Sequence, residues 1–179
     1  MDRGFAANRW VYGAAYLGVA NLVLLLHVMP IEVGPNGYPG PDFLIAITFV
    51  WVLRRPQYVP TPLVAAVFLI ADMLFLRPPG LWTALVVIGV EFLRSAEAEV
   101  CDAALPVERG MVAGVLAAVA LANLVTLTVF AVNAPAVGMS LLQLVATVLI
   151  YPLVVLLSRF VFGVRKLTPG ELDAAGRPR

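Results

Sequence analysis

The sequence predicts an all-α membrane protein built as a bundle of six transmembrane helices. Of its 179 residues, 61% are hydrophobic and 13% are charged, whereas soluble domains carry about 25% charged residues. The apolar residues are gathered into long runs that are separated by proline, glycine or charged residues. These runs lack the strict alternation of membrane β-barrel strands. Helices are then the remaining way to satisfy the backbone within lipid.

The first predicted span covers residues 10–29 and ends at Pro30. Its apolar run is longer than the roughly 7–15 residues of a signal-peptide core. The residues Pro30-Ile31-Glu32 also lack the small side chains of a cleavage site. We therefore expect this helix to remain in the protein as an anchor, followed by a loop rich in glycine and proline.

Three shorter runs follow, and the first two of them end at arginine and proline. They cover residues 42–53, 61–76 and 80–94. At 1.5 Å per residue the three helices are about 18–24 Å long, which is less than the roughly 30 Å of a bilayer core. A hairpin of the second and third runs that enters the membrane without crossing it therefore stays open as an alternative.

Two long runs complete the predicted bundle. They cover residues 110–132 and 137–161, with a break at Asn133-Ala134-Pro135 between them. Residues 1–162 then form a single polytopic membrane domain. The polar segment 163–179 is expected to be a flexible tail, because it lacks an apolar face and carries a Pro169-Gly170 turn signal.

Charge placement predicts how the bundle is oriented. With six crossings and a cytoplasmic N-terminus, 11 of the 12 lysines and arginines lie on the cytoplasmic side, as the positive-inside rule requires. Only Arg77 lies outside. The hairpin alternative moves Arg54 and Arg55 outside and weakens the partition to 9 against 3. We therefore expect both termini in the cytoplasm.

Several function classes are excluded by composition and motifs. A net charge of +1 provides no cationic surface for nucleic acid, and the single Cys101 excludes a disulfide scaffold. We find no nucleophile elbow, zinc-binding His-Glu pair, phosphate-binding loop or metal-binding Asp cluster. The sequence therefore predicts neither an enzyme nor a cofactor or metal site.

Ionisable residues inside predicted spans are the main candidates for a site, because they are costly in lipid. Asp72 lies near the outer end of the third span. It is expected either to pair with Arg77 or to accept backbone N–H groups of the helix that begins at Gly80. A structural lock and a partner-binding or ligand-binding carboxylate both stay open. Glu91 and Arg94 are expected to form an i,i+3 ion pair.

A ridge of small residues recurs every four positions on the fifth helix. It consists of Gly110, Gly114, Ala118 and Ala122. Such a stripe lets a second helix approach closely. We expect it to pack inside the bundle, with the single span of a partner protein as the alternative.

An ordered set of motifs along residues 10–172 resembles one bacterial family. The set comprises Pro39-Gly-Pro-Asp42, Trp51-Val-Leu-Arg54-Arg55-Pro56, Phe68-Leu-Ile-Ala-Asp72 with Arg77-Pro-Pro-Gly80, Glu91-Phe-Leu-Arg94, Tyr151-Pro152, and Phe162-Gly163-Val-Arg165-Lys166. In this order they resemble the rod shape-determining protein MreD. The resemblance implies a multi-pass protein of the bacterial inner membrane, with a fold similar to the membrane subunits of vitamin importers.

The resemblance also implies a function and partners. It implies a non-enzymatic component of the cell-elongation machinery that works in peptidoglycan synthesis with MreC, MreB, RodA and the transpeptidase paired with RodA. We expect contacts to MreC at the outer loop around Glu32–Asp42 and at the Asp72–Arg77 corner. We expect four basic residues to contact anionic lipid or the side of the complex where the MreB filament lies. These are Arg54, Arg55, Arg165 and Lys166.

A substrate-binding subunit of a small-molecule importer is the alternative function. It shares the six-helix layout, and it would use Asp72, Asn21 or Asn123 as ligand contacts in a cavity.

Overall fold

A computed structural model of the chain describes residues 3–29, 40–54, 56–96, 105–130 and 136–162. These residues contain six α-helices, one short 3₁₀ turn at Pro56–Tyr58, and no strand. The helices are α1 (Arg3–Val28), α2 (Phe43–Arg54), α3 (Thr61–Leu74), α4 (Leu81–Ser95), α5 (Leu105–Val129) and α6 (Val137–Phe162). The predicted number and order of helices are confirmed for this part of the chain.

Three of the described helices are long and apolar enough to cross a membrane. The qualifying stretches are Trp10–Val28 in α1, Pro106–Val129 in α5 and Val137–Phe160 in α6. The helices α2 and α3 are shorter apolar helices, and α4 has 15 residues. The structure thus has the helices of a membrane protein, with three short helices among three long ones.

The start of α5 differs from the sequence prediction. The helix begins at Leu105, although the apolar run alone predicted a start at Gly110. Pro106 lies in the first turn, where a missing N–H costs nothing because no intrahelical acceptor is available there. The earlier start places Glu108 inside the helix, and this position has consequences for the site described below.

The helix α2 forms the centre of the bundle. It packs against α1, α4 and α6, and ten of its 12 residues are buried. A helix that is apolar on every side needs neighbours on every side, and the remaining helices provide them. The helix α3 packs against α4, α4 against α5, and α5 against α6, while α1 contacts α2 and α3.

One glycine lies at a tight contact between three helices. A Cβ atom on Gly89 of α4 would lie 3.1 Å from Val115 Cγ1, 3.3 Å from Val119 Cγ2 and 3.4 Å from Phe49 Cζ. Any larger residue would therefore push α4 away from α5 and α2. Among the described glycines, Gly89 is the one with the closest neighbours on other helices.

Candidate functional site

Asp72 is fully buried in α3 and connects it to the start of α4. Its Oδ2 atom accepts hydrogen bonds from the backbone N–H of Gly80 at 3.0 Å, from the backbone N–H of Thr83 at 3.2 Å and from the Thr83 hydroxyl at 2.8 Å. The first N–H groups of a helix have no acceptor within the helix. Of the two arrangements left open by the sequence, the structure shows the one with the start of α4.

The turn between α3 and α4 has a constrained backbone. Leu76 has a φ of 51° and Gly80 a φ of 88°. The left-handed region costs a residue with a Cβ atom about 1–2 kcal/mol. The backbone N–H of Arg77 donates to the carbonyl oxygen of Asp72 at 3.0 Å. Asp72 thus holds both ends of the turn, through its main chain and its side chain.

The Arg77 side chain lies against two aromatic rings. Its guanidinium carbon is 5.2 Å from the ring centroid of Phe75 and 5.3 Å from that of Trp82. Both distances are within the range of a cation–π interaction. Among the described residues, no carboxylate lies within 4.0 Å of this guanidinium. Asp72 and Arg77 therefore do not form an ion pair, and their side chains contact different groups.

A pocket of about 630 Å³ lies beside this corner. Its volume is in the range of small-molecule sites, which is about 300–1,000 Å³. Leucines, Ile45 and Trp82 provide apolar walls. The polar groups along the pocket are Asp42, Arg77, Asn123, Ser140, Gln143 and Thr147. Residues that are distant in sequence are thus gathered where α2, α4 and α6 begin.

The pocket forms at the N-terminal end of α2 because α2 is much shorter than its neighbour α6. The backbone N–H of Asp42 donates to Thr147 Oγ1 at 3.0 Å, and Thr147 lies about three turns into α6. The first turns of α6 therefore extend roughly 15 Å beyond the start of α2. None of the described helices fills the space beyond the N-terminal end of α2, beside the first turns of α6. The pocket lies there, and we refer to it as the pocket above α2.

Asp42 forms the floor of the pocket and caps α2. Its Oδ1 atom accepts the backbone N–H of Ile45 at 3.2 Å, which is the N-cap arrangement for an aspartate before a helix. The positive end of the helix dipole offsets part of the carboxylate charge. Asp42 therefore contributes a fixed carboxylate that is engaged with its own helix.

A second polar cluster lies at the opposite end of α2. Arg54 Nη2 lies 3.3 Å from Glu108 Oε1 and 3.5 Å from Glu108 Oε2, and the Tyr151 hydroxyl donates to Glu108 Oε1 at 2.8 Å. The Arg54 side chain is 7% exposed and that of Glu108 is 0% exposed. The expectation that Arg54 contacts lipid or a partner is therefore wrong, because α5 presents a buried carboxylate to it.

Sequence reasoning missed Glu108 and Tyr151 as members of this cluster. The predicted span begins at Gly110, which leaves Glu108 outside it and gives no register between Glu108 and Arg54. The signal was present in Leu105-Pro106-Val107-Glu108, since proline and an acidic residue in the first turn mark a helix start. Tyr151 gave no comparable signal, because an isolated tyrosine in an apolar helix has many uses.

Other buried polar side chains are also paired inside the bundle. The Tyr16 hydroxyl lies 2.9 Å from Thr48 Oγ1, and the Thr48 hydroxyl donates to the carbonyl oxygen of Leu44 at 2.7 Å. Trp51 Nε1 donates to Ser158 Oγ at 3.3 Å. The Tyr16–Thr48 bond connects α2 to α1, and the Trp51–Ser158 bond connects α2 to α6. Their polar groups serve to hold helices together.

The expected ion pair on α4 is confirmed. Arg94 Nε lies 3.6 Å from Glu91 Oε1 at i,i+3 spacing, and Arg94 Nη2 donates to the carbonyl oxygen of Val59 at 3.0 Å. The Thr61 hydroxyl donates to Glu91 Oε1. The pair thus joins α4 to the start of α3. Arg55, Arg165 and Lys166 lie outside the described residues.

The small-residue ridge of α5 faces outward. Gly110, Gly114 and Ala118 are exposed, and Ala122 is half-buried. A Cβ atom added to Gly110 or Gly114 would meet nothing within 4 Å. The expectation that the ridge packs inside the bundle is therefore wrong. The buried face of α5 is formed instead by Val112, Val115, Leu116 and Val119.

Within the described residues, no three His, Cys, Asp or Glu side chains come together as a metal site would require. Comparison of the chain with protein-family models, with curated proteins and with solved structures found no match in any of the three.

Proposed function

We propose that this chain is a non-enzymatic, multi-pass component of the bacterial cell-elongation machinery, as its resemblance to MreD implies. In this proposal all six helices cross the inner membrane, with both termini in the cytoplasm. The protein binds MreC directly and acts with MreB, RodA and the paired transpeptidase in peptidoglycan synthesis. Its role is to position these proteins and not to catalyse a reaction.

The observation that carries the proposal is the outward-facing ridge of α5. Small residues at four-residue spacing allow a second helix to pack closely in lipid, and the bundle leaves this ridge uncovered. Large apolar side chains such as Leu121 and Val125 are exposed on the same helix. A partner with one transmembrane span, as MreC has, fits such a surface.

The buried polar groups also favour a role in binding. Glu108 is engaged by Arg54 and Tyr151, and Asp72 is engaged by the start of α4. Groups that hold helices together in this way are poorly placed to transfer protons to a substrate. The surfaces available to other molecules are the apolar helix faces and the pocket.

Co-purification with the cognate MreC tests the proposal. Gly114→Leu should reduce the retained MreC severalfold, because the leucine side chain prevents close helix approach. Gly18→Leu is the matched control, since Gly18 on α1 is also exposed and has nothing within 4 Å of an added Cβ atom. Equal retention in both variants would contradict the assignment of the ridge.

Depletion in the host tests the function independently of the ridge. Loss of the protein should make rod-shaped cells round without creating a nutrient requirement. Cells that remain rods after depletion would contradict a role in elongation.

The pocket favours one second candidate, the substrate-binding subunit of a small-molecule importer. Of the ligand contacts expected for that function, Asn123 lines the pocket, Asp72 is enclosed at the α3–α4 corner, and Asn21 is exposed on α1. A nutrient requirement after depletion, together with a higher melting temperature in the presence of that nutrient, would favour the importer over the elongation component.

A further inference from the structure

We propose that the pocket above α2 binds the phosphate group of an amphiphilic molecule, with Arg77 as the principal contact. The phosphate can belong to a membrane phospholipid or to a soluble phosphate compound, and the experiment below separates these sources. The inference goes beyond the role in elongation and does not depend on it.

The presentation of Arg77 is the first argument. The rings of Phe75 and Trp82 lie near the guanidinium, and stacking on aromatic faces leaves the N–H edges of the group available for hydrogen bonds. A guanidinium held in this way loses less conformational freedom when it binds an anion. Phosphate oxygens match the planar arrangement of these donors.

The second argument is that Arg77 forms no ion pair with another described residue. Arg54 has the Glu108 carboxylate, and Arg94 has the Glu91 carboxylate. Among the described residues, Arg77 has no such partner within 4.0 Å. The Asp42 carboxylate lines the same pocket but accepts the N–H of Ile45. The positive charge of Arg77 is thus available to a ligand.

The third argument comes from the other residues that line the pocket, which indicate the chemistry of the whole ligand. Asn123, Ser140 and Gln143 line the pocket from α5 and α6 and can donate to further phosphate oxygens. Apolar walls are formed by Leu81, Leu116, Leu127 and Leu144. A phosphate group attached to an apolar body complements both the polar donors and the apolar walls of the pocket. The half-buried Arg77 lies where α4 begins, at one end of the bundle, and headgroups occur at the ends of membrane helices.

The Asp72 corner gives this site its rigidity. Asp72 fixes the start of α4 through Gly80 and Thr83, and Trp82 lies between these two residues in sequence. The same residue accepts the backbone N–H of Arg77. Asp72 is thus a positioning residue for the two side chains that form the cationic wall.

Native mass spectrometry of the purified full-length chain tests the proposal. The protein is exchanged into detergent that contains equal amounts of phosphatidylglycerol and diacylglycerol with the same acyl chains. The wild type should retain phosphatidylglycerol over diacylglycerol by at least about tenfold, and Arg77→Gln should abolish this preference. Arg109→Gln is the matched control, because Arg109 is half-buried on α5 and lines a different groove.

A second variant tests the pocket without altering Arg77. Ser140 lines the pocket from the first turn of α6, and Ser140→Phe should fill part of its volume and also abolish the preference. If Arg77→Gln fails to fold, as judged from its melting temperature, Ser140→Phe decides the result.

A thermal-shift arm with inorganic phosphate separates the two sources. Stabilisation of the wild type but not of Arg77→Gln, without selective lipid retention, assigns the site to a soluble phosphate compound. Selective retention of phosphatidylglycerol assigns it to a lipid headgroup. No preference in the wild type in either arm, or an equal loss in Arg77→Gln and Arg109→Gln, would overturn the proposal.

Discussion

One oxygen of the Asp72 carboxylate satisfies three donors at the start of α4. Its other oxygen, Oδ1, is buried and has no hydrogen-bond partner among the described residues. A buried donor that loses its acceptor costs about 1–3 kcal/mol. At the scale of single residues, the stability of the α3–α4 turn therefore depends on this side chain more than on the exposed Leu76 beside it.

Replacement of Asp72 should separate its structural contribution from its charge. Asp72→Ala leaves the N–H groups of Gly80 and Thr83 without their acceptor and should lower the free energy of unfolding by about 3 kcal/mol. Asp72→Asn retains a carbonyl oxygen as acceptor and should cost about 1 kcal/mol. Unfolding in mixed detergent micelles measures both values. Equal losses in the two variants would contradict a role based on hydrogen bonding.

At the scale of helices, α2 is held at its two ends by different means. The Arg54–Glu108 pair joins its C-terminal end to α5, and Tyr151 extends the cluster to α6. At the other end, Asp42 bonds to Thr147 of α6. A buried ion pair adds little net stability, and its best-attested role is to specify the register between helices. We therefore expect the cluster to set the position of α2 along its neighbours.

A double-mutant cycle should reveal the coupling between Arg54 and Glu108. Arg54→Met removes the Arg54 guanidinium from the buried Glu108 carboxylate and should cost about 3–5 kcal/mol. Adding Glu108→Gln to this variant removes the buried negative charge and should restore part of the loss, because glutamine still accepts from Tyr151. Additive losses, measured by unfolding in mixed micelles, would show that the two residues act independently.

Gly89 and Gly114 both lie within helices, but the two should respond differently to substitution. Gly89→Leu places its side chain against Val115, Val119 and Phe49 and should lower stability by about 1–3 kcal/mol. A Cβ atom at Gly114 meets nothing within 4 Å, and Gly114→Leu should leave the melting temperature of the isolated protein unchanged. A loss of stability in Gly114→Leu without any partner would show that the ridge packs within the bundle.

At the scale of the whole molecule, the shortest helix occupies the centre. With 12 residues, α2 is about 18 Å long, and α6 with 26 residues is about 39 Å long. Most exposed large apolar side chains of the described residues lie on the other five helices, so in a membrane the enclosed central helix would not be required to match the bilayer thickness by itself. This difference in length also produces the pocket above α2.

Cysteine labelling should establish whether α2 and α3 cross the membrane. In a Cys101→Ser background, Gln57→Cys should react with an impermeant maleimide only after cell lysis, because six crossings place the turn between α2 and α3 in the cytoplasm. Leu76→Cys serves as the outside control and Ser95→Cys as the inside control, since both positions are exposed. Labelling of Gln57→Cys in intact spheroplasts would support the hairpin alternative.

The sequence by itself determined the helices and the local corner. Apolar runs ended by Arg-Pro and Gly signals predicted six helices. The ends of α3 and α4 lie no more than two residues from the predicted bounds. The role of Asp72 at the start of α4 was one of two predicted arrangements, because its donors lie only 8 and 11 residues away. Such features depend on nearby residues and are therefore readable from the chain.

Only the tertiary structure decided which faces are buried. Arg54 and Glu108 are 54 residues apart, and their pairing depends on how α2 and α5 are rotated and shifted against each other. The rotation of each helix in the bundle also turns Gly114 of α5 outward and Gly89 of α4 inward. It also gathers Arg77, Asn123 and Gln143 around the pocket. In a bundle whose helices are apolar on several sides, periodicity does not specify rotation, so packing and the pairing of buried charges determine it.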